Sequence, residues 1–335
     1  MPVKSKITSL EALRGFAVLS VAFGHFGHNF ANGSVLPDFF GFLWSYGNIG
    51  VQVFFVISGF IIPYSLYKSK YAINDYFRFL YKRTLRLHPP YLAALIITLI
   101  ISGVSYKLRH LPNPETLKSI LLSIFYIHTP ADNPVFWTLK IEAEYYIFIG
   151  LFYTVFTRNS KVLVLLLISS LLIISQTVLI EYIGLLKYII FFLIGIVGYL
   201  IYTSNGNKLL NYLTLLVLII FSFCFYKFAA AITSSATIMI ILYFRKPVHS
   251  ILEFPGRISY SIYLLHFVIG VKLINLLQRS IAPYYQWTLF ILATLVCFLI
   301  AWIFWRYIEK PSADLSNKVK YGNKKTKPLT HSLEI

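Results

Sequence analysis

The sequence predicts an all-α integral membrane protein of about ten transmembrane helices with no separate soluble domain. Three observations carry that prediction. The first is composition: the 335 residues are 58% apolar, 18% aromatic and only 13% charged, with a mean hydropathy of +0.71. Soluble domains carry roughly a quarter charged residues. The second is that apolar runs of about 20 residues, the length that crosses a bilayer, recur along the chain. The third is that basic residues gather between those runs, the pattern of loops on the inner face of a membrane. The net charge of +18 would suggest nucleic acid for a soluble protein. Here it reads as inner-face charge, so membrane lipid is the expected partner and no nucleic acid is. Cys224 and Cys297 both lie inside apolar runs, which argues against a disulfide framework, a metal site or a nucleophile.

In chain order the runs fall at residues 8–30, 44–66, 89–106, 135–157, 162–181, 185–203, 208–225, 228–244, 258–278 and 286–308. The first reads as a retained helix, because Arg14 interrupts the apolar core that a cleavable leader needs. Residues 117–129 are apolar but short, and read as an interfacial or re-entrant piece on the outer side. Ten spans put both termini on one side. Of the 30 Lys and Arg residues, 22 fall on that side and 8 on the other, which marks both termini as cytoplasmic. The expected organisation is a membrane domain over 1–312 and a polar, Lys-rich, mobile cytoplasmic tail over 313–335.

Ionisable residues inside such runs are costly, and are functional candidates by default. Arg14 and His25 sit on the first run, eleven residues and ~16 Å apart along a helix. Glu11 is placed to pair with Arg14. His28 lies one turn beyond His25, but no matching His or Cys pattern elsewhere supports a metal site, and none is expected. The stretch YFRFLYKRTLRLHPPY, 76–91, gathers Arg78, Lys82, Arg83 and Arg86 largely on one helical face at the mouth of a loop. Paired guanidiniums suit phosphates, and the plainer reading is attraction to anionic lipid. His88-Pro89-Pro90 is expected to set how the chain enters the next span. VFWTLKIEAEYYIF, 135–148, carries Glu142 and Glu144. They are two residues apart, so they point to different sides of the helix, and at most one faces a histidine of the first run. Gly59 offers a close helix approach, Ser58 lacks a nucleophile-elbow context, and His266 lies toward the middle of the ninth run.

Four of these segments, in order and spacing, resemble the acyltransferase family 3 of integral membrane O-acyltransferases. They are SLEALRGFAVLSVAFGHF, GVQVFFVISGFII, RTLRLHPPY with FWTLKIEAEYY, and ISYSIYLLH, and the likeness runs from about residue 7 to WRYIEKP near 312. The resemblance implies ten spans in a bacterial inner membrane. It implies transfer of an acyl group, usually acetyl from cytoplasmic acetyl-CoA as co-substrate, to a hydroxyl of a surface glycan such as O-antigen or exopolysaccharide. The family's Arg-x(10)-His motif falls on Arg14 and His25, and its Arg-x-x-Arg motif on Arg83 and Arg86. Its tryptophan-and-glutamate signature falls on Trp137, Glu142 and Glu144, with Ala143 where many members have another glutamate. Some members carry a further hydrolase-like domain. None is expected here, so the protein would transfer alone or pass the acyl group to a separate partner acyltransferase.

On this reading Arg14, Arg83 and Arg86 hold the donor phosphates, and the pantetheine arm extends toward His25. The imidazole acts with Glu142 and Glu144 as general base, or becomes acylated itself. The acceptor glycan is either lipid-linked inside or already exported. A proton-coupled transporter of a small anion or glycan precursor also places His and Glu within spans, and would be marked by inverted repeats.

Overall fold

The computed structural model describes residues 8–31, 36–157, 161–244 and 246–321, so the expected tail beyond 321 lies outside the described residues. Helices run in the order α1 (Thr8–His28), α2 (Pro37–Gly47), α3 (Ile49–Lys68), α4 (Tyr76–Leu108) and α5 (Leu117–Ile124). Then come α6 (Trp137–Thr157), α7 (Lys161–Ile174), α8 (Gly184–Tyr202), α9 (Lys208–Phe225) and α10 (Phe228–Tyr243). The last group is α11 (Ser250–Arg257), α12 (Ser259–Leu265), α13 (Lys272–Leu277), α14 (Gln286–Phe304) and α15 (Lys310–Lys318). A π-helical turn, His266–Val271, joins α12 to α13, and another, Trp305–Glu309, joins α14 to α15. There is no strand among the described residues.

Each expected apolar run coincides with a helix. Six stretches are long and apolar enough to cross a membrane: Pro37–Lys68, Ile73–Leu108, Gly184–Tyr202, Lys208–Phe225, Ser259–Ser280 and Pro283–Lys318. Lys161–Ile174 and Phe228–Tyr243 are apolar but shorter. The all-α membrane class therefore holds, and a count of ten spans is not established by length and composition.

The bundle is organised around α8. Residues 189–200 are buried without a break, as expected for a helix that is apolar on every side. α3 lies closest against it. A Cβ on Gly59 would strike the Phe192 carbonyl, and one on Gly195 would strike the Val56 carbonyl. Small residues thus let the two backbones approach, in the manner the sequence suggested for Gly59. By contrast α9 turns Leu213, Leu216, Val217 and Ile220 outward, as a lipid-facing helix does.

Two expectations are corrected together. Residues 76–91 do not open a loop: α4 is one 33-residue helix that continues through Pro89 and Pro90. Consecutive prolines in a helix interior leave the carbonyls four residues earlier, Leu85 and Arg86, without their amide donors. Ser312 of α15 donates its hydroxyl to both, at 2.5 and 3.3 Å. The Ser316 hydroxyl adds a bond to the Lys82 carbonyl at 2.9 Å, and Lys82 Nζ donates to the Val319 carbonyl at 3.3 Å. The start of the expected mobile tail is therefore a helix docked on α4, because the prolines leave acceptors there that a buried backbone must satisfy.

On the opposite end of α4, α5 starts with a reciprocal capping box between Thr116 and Ser119. Glu115 ties this short helix to the following loop. Its carboxylate accepts from the Ser119 hydroxyl (2.7 Å) and the Ala131 N–H (2.9 Å), and lies 3.1 Å from His128 Nε2.

Candidate active site

A cavity of about 500 Å³ opens between α1, α3, α4, α6 and α12, with α15 contributing Ala313 to its wall. That volume lies in the range of small-molecule and cofactor sites, roughly 300–1,000 Å³. Its charged lining is Arg14, Lys68, Arg83, Arg86, Glu142 and Glu309. Four cations against two carboxylates make it a net positive chamber, suited to an anion. Aromatic rings of Phe54, Phe55, Tyr146, Tyr260 and Tyr263 supply much of the remaining wall.

Each arginine is held differently. Arg83 is buried, and its guanidinium lies over the rings of Phe79 and Tyr146, 5.4 and 5.6 Å from their centroids. Its buried Nε has no hydrogen-bond partner among the described residues. Arg14, half-buried on the first helix, interacts electrostatically with Arg86, Glu309 and Glu142. Glu142 in turn accepts a hydrogen bond from the Tyr146 hydroxyl. Glu309 ends the π-helical turn, and one of its oxygens accepts from the Ser261 N–H (3.1 Å) and hydroxyl (2.6 Å). The two carboxylates interleave with guanidiniums that would otherwise repel one another.

The histidines lie beyond the Tyr263 wall. Tyr263 lines the cavity, its hydroxyl is tied to Thr138 Oγ1 at 2.7 Å and to the Val135 carbonyl at 2.9 Å, and its ring is 5.8 Å from that of His266. His266 is fully buried, 5.4 Å ring to ring from His25. Half-buried His25 also touches Phe267 (5.3 Å) and Trp44 (6.1 Å). His28 is exposed, with its ring 4.1 Å from Trp44.

The fold thus brings Arg14, Arg83, Arg86 and Glu142 into one chamber and sets His25 at a distance from it, paired with His266. Glu144 is elsewhere. Its carboxylate accepts from the Leu185 N–H at 2.6 Å and lies 4.0 Å from Lys140 Nζ, so it caps the start of α8. The other members of the basic stretch are engaged locally: Arg78 pairs with Asp75 at 3.4 Å, and Lys82 holds the α15 segment. Sequence reasoning passed over Glu309 and Tyr260 and placed little weight on His266. A carboxylate inside WRYIEKP was a visible signal for Glu309, but nothing in one sequence shows that Glu309 and His266 stand in π-helical turns.

A family model described as an acyltransferase domain matches residues 7–306. YrhL of Bacillus subtilis (strain 168), provisionally named a peptidoglycan O-acetyltransferase, is 30% identical over 165 residues, covering 44% of this chain and 24% of that protein. The peptidoglycan O-acetyltransferase OatA of Listeria monocytogenes serovar 1/2a (strain ATCC BAA-679 / EGD-e) is 26% identical over 188 residues, covering 48% of this chain and 27% of its own. The chain therefore spans about a quarter of the length of these curated relatives. No solved structure matches. The family match extends over nearly all of the helical bundle, including the three chamber arginines, Glu142 and both histidines of the pair, and so the chain belongs to acyltransferase family 3, a family of membrane acyltransferases.

Proposed function

We propose that this protein moves an acetyl group from cytoplasmic acetyl-CoA to a hydroxyl of a surface glycan, as a multi-pass protein of a bacterial inner membrane. One observation carries the reading: arginines from two motifs far apart in sequence, Arg14 and the Arg83/Arg86 pair, converge on one positive chamber. Guanidiniums offer bidentate contacts that fit the phosphates of coenzyme A. The ~16 Å between Arg14 and His25 along the first helix suits an extended pantetheine arm that would pass Tyr263 and present its thioester near His25. The acceptor oxygen would attack the thioester carbonyl carbon. A C–O bond forms as the C–S bond breaks, and the hydroxyl proton passes to His25 and from there to the thiolate of coenzyme A. The names of the two relatives favour peptidoglycan as the first acceptor to try, ahead of O-antigen or exopolysaccharide. A separate partner acyltransferase is needed only if the glycan lies beyond reach of the His25 end.

Purified protein in lipid nanodiscs tests the donor side by calorimetric titration with coenzyme A. Arg86 is the informative position, since Arg83 is buried against aromatic rings and its removal disturbs packing as well. Loss of a charge-assisted contact costs about 1.5–3 kcal/mol, so Arg86→Ala is expected to weaken binding roughly 10- to 100-fold. Arg86→Lys should restore part of it, because a point charge cannot make the bidentate contact. Absence of coenzyme A binding to the unaltered protein would sink the reading.

A further inference from the structure

We propose that His266 is a positioning residue of the reaction, the fixed partner that sets the proton on the His25 ring. The inference rests on the acyl-transfer reading above and assigns a role within it that the Arg-x(10)-His motif does not contain. His266 stands at the first position of a π-helical turn in the ninth apolar run. Such turns are a costly departure from α-helix and occur often at functional sites. The side chain is fully buried. Its Nδ1 lies 2.8 Å from the Tyr263 carbonyl and 3.2 Å from the Ile262 carbonyl, both one turn back on its own helix. A carbonyl only accepts, so Nδ1 carries the hydrogen, and the neutral ring keeps its lone pair on Nε2.

That Nε2 is buried and makes no hydrogen bond among the described residues. A buried acceptor left alone is expensive and calls for an explanation. The rings around it narrow the choice. Phe26 and Phe267 offer no polar atom, and the Tyr263 hydroxyl is engaged by Thr138 and Val135. His25, 5.4 Å away ring to ring, is the neighbouring ring that can present an N–H to it. A small inward shift of the half-buried His25 ring, when the thioester and acceptor are bound, brings one of its N–H groups onto His266 Nε2. The opposite nitrogen of His25 is then obliged to be the lone pair that takes the hydroxyl proton. When that proton arrives, His25 becomes an imidazolium, and His266 Nε2 accepts a hydrogen bond from it and stabilises the charge. No proton passes to His266. The logic is that of a base oriented by a third group, with a neutral imidazole in place of a carboxylate.

Two substitutions separate this role from packing. In His266→Asn the amide nitrogen replaces Nδ1 and keeps the tie to the Tyr263 carbonyl, but nothing reaches the place of Nε2. In His266→Gln the longer amide carries its oxygen to that place. Acetyl transfer from radiolabelled acetyl-CoA to isolated cell-wall glycan is followed in membranes, with coenzyme A affinity and the melting temperature measured on purified protein. The Asn variant should lose 10²-fold or more in kcat, approaching His25→Ala, with donor KM and melting temperature unchanged. The Gln variant should recover at least tenfold over Asn. Equal loss in both variants together with a lowered melting temperature would show a packing role and overturn the proposal, as would full transfer by His266→Asn. If the unaltered protein neither binds coenzyme A nor transfers acetyl, the acyl-transfer reading itself falls, and that result is seen before any variant is made.

Discussion

Two carboxylates two residues apart, Glu142 and Glu144, show how a residue's task follows from what its helix faces. The period of 3.6 sends them to different sides of α6. One meets Arg14 and Tyr146 in the chamber, the other meets an amide at the start of α8. Their removal should therefore have different signatures. Glu142→Ala releases guanidiniums that repel one another, and donor affinity is expected to fall about tenfold, roughly 1.4 kcal/mol, with little change in melting temperature. Glu144→Ala removes a charged cap and should cost about 1 kcal/mol of stability, with donor affinity intact. Calorimetry and thermal melting on the same purified samples distinguish them. Loss of transfer in Glu144→Ala without loss of stability would return that residue to the chemistry.

At the scale of elements, the docking of α15 on α4 is the least expected feature, and one of its hydroxyls meets both carbonyls that the prolines free. Ser312→Ala leaves the Leu85 and Arg86 carbonyls unsatisfied, which should destabilise the α4–α15 contact by about 1–3 kcal/mol. Protease sensitivity around residues 310–321 should rise, while Ser312→Thr, which keeps the hydroxyl, should stay resistant. At the other end of α4, the segment from Glu115 to Ala131 carries a pH dependence. Burial pushes the Glu115 carboxyl up, but the Ser119 hydroxyl, the Ala131 N–H and His128 outweigh it and hold it below the usual carboxylate value of 4.5. A group whose folded value is depressed stabilises the fold above its unfolded value, and that contribution is lost as pH falls through the folded one. The melting temperature of purified protein should then drop below about pH 4.5, and Glu115→Gln should be lower at neutral pH and flatten that drop. Parallel curves for the two proteins would assign the acid sensitivity to another group.

For the whole molecule, orientation decides which mouth meets the donor. The 22-to-8 division of basic residues predicts both termini inside the cell. A phosphatase reporter fused after residue 335 should be inactive, and the same reporter inserted in the 107–118 loop should be active. An active fusion after residue 335 would place the arginine chamber on the wrong side for cytoplasmic coenzyme A.

The all-α membrane class was legible in composition and in the recurrence of apolar runs, because the bilayer imposes one length on every span and forbids unpaired backbone within it. Arg14, His25, Glu142 and Glu144 drew notice for a related reason, since an ionisable group in an apolar run is too costly to be there idly, and Arg83 and Arg86 drew it as paired guanidiniums suited to phosphate. Local pattern could also predict that Gly59 marks a close approach, since only contact with another backbone makes a missing side chain useful there. Other features lay beyond any local signal. Pro89 and Pro90 read as setting how the chain enters the next span, and only α15, more than 220 residues away, supplies the hydroxyl that meets the carbonyls they free within α4. Glu309 lies just past the last run and His266 inside the ninth, and only the folded chain shows that both stand in π-helical turns. Which carboxylate faces the arginines, and which histidine faces His25, was decided by the packing of α6 and α12 against α1, α3 and α4. Burial energy summed over whole helix faces sets that rotation, and the spacing of the residues it carries into the site does not encode it.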